Sequence, residues 1–169
     1  MKLYNTLSRQ IEDFVPYEKG KVKLYTCGPT VYHYAHIGNI RNYIGHDILD
    51  KTLRYLGYEV TRAMNITDVG HLTDDADDGE DKLEVSSKKE GKTAWDIAQK
   101  YTENYLRGRE MLNLLPPSKF IKATDFIPQQ LKLLEVLNEK GYIYEIGDGL
   151  YFDTQKFPTY ADFAHLNLE

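Results

Sequence analysis

Two short clusters near the start of the chain carry side chains able to do chemistry. Cys27-Gly28-Pro29-Thr30 closes a β-prone run, Val22–Cys27, and His36-Ile37-Gly38-Asn39 opens a helical one. Ligands of open α/β sheets sit beyond the carboxyl ends of the strands, where helix N-termini offer free amides to anions. His36, Gly38 and Asn39 therefore fall where a phosphate group is favoured. Glycine at 38 removes a side chain and lets a ligand reach the backbone. His36 and Asn39 stand three residues apart, on one helical face, and can donate together. The chain holds neither GxxxxGKS/T nor GxGxxG, so neither common phosphate loop supplies a nucleotide site. The same spacing also fits a helix-start histidine whose hydrogen bonds are satisfied locally.

Cys27 has a similar pair of readings. A lone cysteine in a β run packs as a small apolar residue, whereas a metal ligand needs further N, S or O donors. The histidines are His33, His36, His46, His71 and His165, and none makes a CxxC or HxxxH pair of ligand spacing. Partners for Cys27 would have to come from distant segments. As a nucleophile it lacks an assignable base. The acidic run Asp74–Asp81 invites a calcium reading. Setting Gly79 as the loop glycine of an EF-hand, however, puts Ala76 at the third position and Val85 at the twelfth, where carboxylates are required. A solvated loop fits better, and Lys88-Lys89 beyond it reads as surface charge able to meet a phosphate.

The elements that must position these residues follow from periodicity. Ile37, Ile40, Ile44 and Ile48 recur every three or four residues, joined by Leu49, Leu53 and Leu56, and Gly57 supplies a stop. Tyr58–Ile66 is β-prone, so strand, helix and strand form a βαβ unit with a right-handed crossover. Thr93 is placed to cap a helix with Asp96 in its first turn. Trp95, Ala98, Tyr101, Tyr105 and Leu112 give that helix its apolar face, and Pro116-Pro117 ends it. A further helix runs from about Asp125 to Lys140, with Ile127, Leu131, Leu134 and Leu137 on one stripe. Tyr142–Asp153 then reads as a β-hairpin around Gly147-Asp148-Gly149. Only two or three strands belong to the parallel part, which is thin for a doubly wound sheet.

Composition bounds the class. At 169 residues, with 41% hydrophobic, 28% charged and 14 tyrosines, the chain is neither collagenous nor wholly disordered. Folding at this length buries roughly 70% of the unfolded surface, so no staple is needed. No apolar run approaches a membrane span, and the N-terminus lacks the apolar stretch of a signal peptide. One cysteine makes no intrachain disulfide, which favours a reducing, cytoplasmic setting. The net charge of −5 comes from the acidic run, without which acids and bases balance to within one charge. Charge does not decide for or against a nucleic-acid partner.

In order along the chain, KLYTCGPTVYHYAHIGNIRNYIGHDILDKTLRYLGYEV followed by MNITDVGHLTDDADDGEDK resembles the N-terminal part of the cysteinyl-tRNA synthetases. The likeness runs from LYNTLSRQ to GLYFDTQKFPTYADFAHLNLE, essentially the whole chain. It implies an α/β fold, the N-terminal half of a Rossmann-like class I synthetase catalytic domain with parallel strands and flanking helices. Residues 1–141 would form that first half, and 142–169, with the hairpin, would begin a connecting insertion. The implied activity joins L-cysteine to ATP and passes the cysteinyl group to tRNA(Cys). Cys27 matches the family's first zinc ligand, in a site where zinc holds the substrate thiolate. A soft metal–thiolate bond would reject serine where size could not.

His36-Ile37-Gly38-Asn39 matches the HIGH signature, with asparagine in place of the last histidine. Its amide still donates but cannot become cationic. By the same resemblance Gly28 and Thr30 line the adenylate site, Thr67 of Asn65-Ile66-Thr67 contacts the amino acid, and Mg²⁺ accompanies ATP. The family's remaining zinc ligands, its KMSKS loop and its anticodon-binding domain have no match. Ser86-Ser87-Lys88-Lys89 is no substitute for that loop. The expectation is an incomplete, inactive N-terminal fragment. Two alternatives share the layout: a ligase joining cysteine to an amino sugar in mycothiol synthesis, and a non-catalytic paralogue that retains the fold.

Overall fold

The structure is a computed structural model that describes residues 1–70, 81–147 and 149–167. At its centre, β3 (Lys21–Thr26), β4 (Glu59–Ile66) and β5 (Lys119–Lys122) form a parallel sheet in the order β3-β4-β5. The middle strand alternates, with Val60, Arg62, Met64 and Ile66 buried and the residues between them more open. That alternation is what a strand with one packed face requires. Lys21 pairs with Glu59 and Thr26 with Met64, so β3 and β4 start level and β4 runs two residues further at the carboxyl edge.

The chain crosses from β3 to β4 through α1 (Ile37–Tyr55). The stop at Gly57 is observed as expected: Leu56 N–H bonds Thr52 O, and Gly57 takes φ 89°, which residues with a Cβ rarely adopt. Thr93 likewise caps α3 (Ala94–Met111). Its hydroxyl accepts from Asp96 N–H at 3.1 Å and donates to the Asp96 carboxylate at 2.7 Å, which holds that carboxyl below its ordinary range. The buried face of α3 is Ile97, Ala98, Tyr101, Thr102 and Tyr105. Trp95, 68% exposed, and Leu112 depart from the expected face. The buried packing partners run from Ile97 to Tyr105, so a first-turn tryptophan and a capping leucine lie beyond both ends.

Three further elements stand where the periodicity shows none: β5, the exposed hairpin of β1 (Lys2–Asn5) and β2 (Gln10–Asp13), and α2 (Lys82–Glu90). The acidic run, with its excluded calcium reading, lies outside the described residues except for Asp81. That carboxylate caps α2, accepting from Leu83 N–H at 2.7 Å and Glu84 N–H at 3.2 Å. The core of the sheet unit gathers Val31, Ile66, Leu83, Ile97, Ala98 and Tyr101, with Tyr43, Met64 and Tyr105 in a second cluster.

Two compact units divide the chain, Pro16–Phe126 and the pair Met1–Val15 with Ile127–Glu169. The second holds the β1–β2 hairpin, α4 (Ile127–Glu139) and the expected hairpin of β6 (Ile143–Ile146) and β7 (Gly149–Phe152), antiparallel from Ile143–Phe152 to Ile146–Gly149. Asp148 of its turn lies outside the described residues. The α4 stripe forms on the helix, but Ile127, Leu131 and Leu134 remain exposed.

Candidate functional site

The carboxyl ends of β3 and β4 approach unusually closely. A Cβ on residue 28 would stand 1.8 Å from the Asn65 carbonyl oxygen, so only glycine fits there. The Gly28 N–H donates to Asn65 Oδ1 at 2.8 Å. Beyond this pinch the pairing resumes: Val31 N–H bonds Thr67 O at 3.1 Å, Thr67 N–H bonds Pro29 O at 2.9 Å, and Thr30 bridges Thr67 in parallel. The loop after β3 is thus an extension of the sheet, which fixes Cys27 at its rim. Cys27 is exposed, and its thiol makes a weak contact with the Gly28 carbonyl at 3.8 Å.

Opposite this edge, α1 opens with a reciprocal cap. His36 Nδ1 accepts from Gly38 N–H at 3.0 Å, and Asn39 Oδ1 accepts from His36 N–H at 3.1 Å. The cap assigns the free chemistry. With Nδ1 accepting, a neutral imidazole carries its proton on Nε2, which can donate. With Oδ1 accepting, Asn39 presents its Nδ2 hydrogens. The locally satisfied histidine and the donor histidine are therefore the same residue, using different nitrogens. Gly38 has a reason in addition to ligand approach: a Cβ there would meet the His36 ring at 2.8 Å.

Cys27, Gly28, Thr30, His36 and Asn39 all line one cleft of about 660 Å³. Gly38 and Thr67 stand behind that lining, the first bonded to the His36 ring and the second to the loop backbone. Among the described lining residues there is no carboxylate, while Lys82 and two histidines are present. Such a wall favours an anion.

The sequence reading missed the aromatic part of this cleft. Tyr43 and Tyr105 meet edge-to-face at 5.1 Å, and the Tyr105 hydroxyl donates to the Met64 sulfur at 3.0 Å. Burial pushes both phenols up, Tyr43 the more, with Tyr105 and the Cys27 thiol adding to it. Both are neutral at ordinary pH. On another wall Tyr101 donates to Glu90 at 2.5 Å, Lys100 binds the same carboxylate at 2.6 Å, and His33 stacks on Tyr101 at 5.9 Å. The Glu90 contact raises both Tyr101 and Lys100. The run Tyr32-His33-Tyr34 just before the helix was the available signal.

A zinc site needs three or four N, S or O ligands. Among the described residues no three His, Cys, Asp or Glu side chains come together as metal ligands. Cys27 is a chemically suitable soft donor for one position of such a site, and the described residues do not complete the set around it.

A family model described as tRNA synthetases class I (C) catalytic domain matches residues 13–169. A cysteine–tRNA ligase of Treponema denticola is 49% identical over 169 residues, all of this chain and 34% of its own length. The cysteine–tRNA ligase 1 of Burkholderia lata is 48% identical over 167 residues, 99% of this chain and 36% of its own length. The chain thus spans about a third of the length of the curated relatives it matches. Among solved structures, the LeuRS of Agrobacterium radiobacter K84, from a ternary complex with tRNA and LeuAMS, superposes with a TM-score of 0.60 and 26% identity. That match covers 78% of this chain and 16% of that one.

Proposed function

The chain belongs to the family of class I (C) tRNA synthetase catalytic domains, and from that membership we propose that its cleft activates L-cysteine with ATP for transfer to tRNA(Cys). The observation that carries this is the shared opening: a strand-end thiol and a capped helix N-terminus face one cleft with no carboxylate among its described lining residues. In the activation step a carboxylate oxygen of cysteine attacks the α-phosphorus of ATP. The bond to pyrophosphate breaks as the acyl-phosphate bond forms. His36 Nε2–H and Asn39 Nδ2–H donate to the phosphate oxygens and stabilise the charge that grows on them. Their contribution is placement and electrostatics, with no covalent enzyme intermediate.

Gly28 and Thr30 line the adenylate, Gly28 by backbone alone because no side chain fits. Thr67 contacts the amino acid, and Cys27 stands at its thiol end. Magnesium enters with ATP. Zinc would supply a soft centre for the substrate thiolate, with Cys27 as one ligand and the others from outside the described residues. We read 1–141 as the first half of the catalytic domain and 142–169 as the start of a connecting insertion. The setting we propose is the cytoplasm. No described helix is long and apolar enough to cross a membrane.

Cysteine-dependent ATP–pyrophosphate exchange, measured on the protein as its gene encodes it, tests the proposal. Exchange is expected with cysteine and not with serine. Cys27→Ser should abolish it while leaving ATP binding within about twofold, and His36→Ala should lower it by about 10²-fold or more, the scale of a lost oxyanion donor. Exchange driven equally well by serine, or none with cysteine, would overturn the reading.

A further inference from the structure

The geometry assigns Asn65 as the positioning residue of this site, setting the Cys27-Gly28 turn and the hydroxyl of Thr67 with one carboxamide. Asn65 lies one residue before the carboxyl end of β4, on the face opposite the buried Met64 and Ile66. Its Oδ1 accepts from Gly28 N–H at 2.8 Å and from the Tyr25 hydroxyl at 3.0 Å, and its Nδ2 donates to Thr67 Oγ1 at 3.0 Å. The orientation of the amide follows from chemistry. A backbone N–H can only donate, so the oxygen must face Gly28, and the nitrogen must then face Thr67.

That choice propagates. Thr67 Oγ1 is obliged to accept from Asn65, which leaves its own proton available to a ligand. On the other side, the Gly28 amide is held at a point where the strands are too close for any Cβ. Gly28, the neighbour of the thiol-bearing Cys27, and Thr67, proposed to contact the amino acid, thus answer to the same side chain, 37 and two positions away. Asn65 itself does not line the cleft. It acts through its neighbours, on the cysteine end of the site and not on the phosphate end held by His36 and Asn39.

This rests on the cysteine-activation reading for its kinetic arm alone. Asn65→Ala and Asn65→Asp are compared with the unaltered protein by thermal midpoint, by exchange kinetics and by iodoacetamide alkylation of Cys27, followed on its own peptide by mass spectrometry. Asn65→Asp keeps an acceptor for Gly28 and Tyr25 but offers Thr67 a lone pair where Nδ2 donated, so the threonine proton must turn toward residue 65. Both variants are expected to raise the KM for cysteine about tenfold or more, with the KM for ATP within about twofold, the scale of losing one hydrogen bond. Cys27 alkylation should change at least threefold in either.

A cysteine KM and an alkylation rate unchanged in a folded variant would overturn the assignment while leaving the activity reading intact. Both KM values rising together would reduce Asn65 to a general structural role. An unaltered protein without exchange would instead fail the activity reading, and the alkylation rates would still decide for or against Asn65. If Asn65→Ala does not fold, Asn65→Asp carries the test.

Discussion

The two units of the chain use the same kinds of element and differ in what they enclose. In Pro16–Phe126 the core includes whole charges: Asp50 and Arg62 are both buried and lie 3.1 Å apart, a Coulombic contact rather than an aligned hydrogen bond. Arg54 adds a 2.6 Å contact to Asp50. Around them, side chains grip the connection from α3 to β5. Asp47 accepts from Leu115 N–H at 2.7 Å, Arg62 donates to Leu115 O, Arg109 to Leu114 O at 2.7 Å and Lys51 to Asn113 O at 3.1 Å. In the unit of Met1–Val15 with Ile127–Glu169, none of the described residues is buried. It is held by strand pairing and by ring contacts such as Tyr142–Phe152 at 5.7 Å and Tyr144–Tyr151 at 5.7 Å. The first unit therefore fixes its backbone by enclosed polar bonds, and the second by local pairing. The candidate site sits wholly on the first, where 1 Å of displacement matters most for chemistry.

The sharpest way to break this contrast is at the enclosed charge. Asp50→Ala leaves Arg62 buried without its carboxylate and should cost about 3–5 kcal/mol in urea unfolding. A loss under about 1 kcal/mol would mean that the ion pair does not organise the unit. Next in size is a matched pair of truncations. Leu53→Ala, at a position 1% exposed, should cost about 2–5 kcal/mol, whereas Leu134→Ala on α4 should stay within about 0.5 kcal/mol. Equal costs would erase the difference between the units.

The smallest effect is one of pH. Burial, then the charge of Arg62, holds the His46 imidazole below its ordinary value of 6.5. The unfolded chain therefore takes up this proton first as pH falls. Stability should decline from about pH 6.5 downward until the folded pKa is passed, and be constant above it as far as His46 is concerned. Thermal midpoints at pH 7.5 and 5.5, compared with His46→Gln, measure this share. An undiminished pH dependence in the variant would assign it elsewhere.

Much of the scaffold was legible because its signals are local. The Gly57 stop, the Thr93 cap and the opening of α1 at His36 each depend on hydrogen bonds spanning four residues or fewer. The strand β5 was not legible: KFIK is four residues long, charged at both ends, and is a strand because β4 offers it a partner. The helix α2 hid among charges beside the acidic run. In the site, Cys27, His36 and Asn39 could be found by their places at a strand end and a helix opening. Tyr43 and Tyr105 could not, because helical spacing marks a buried face without saying that part of it floors a cleft. Asn65 reads in sequence as an ordinary polar strand residue.

By itself, then, the sequence determined the order of strand, helix and strand, their caps and stops, the family likeness, and which end of the sheet carries the reactive side chains. These are properties of neighbours in the chain, where a few hydrogen bonds and a hydrophobic period suffice. The tertiary structure alone decided that Gly28 meets Asn65 across 37 residues and Asp47 meets Leu115 across 68. It also decided which aromatic rings close the cleft. Such pairings arise because a buried donor or acceptor must find a partner wherever packing brings one, and that choice is made by the assembled sheet and not by any short segment of it.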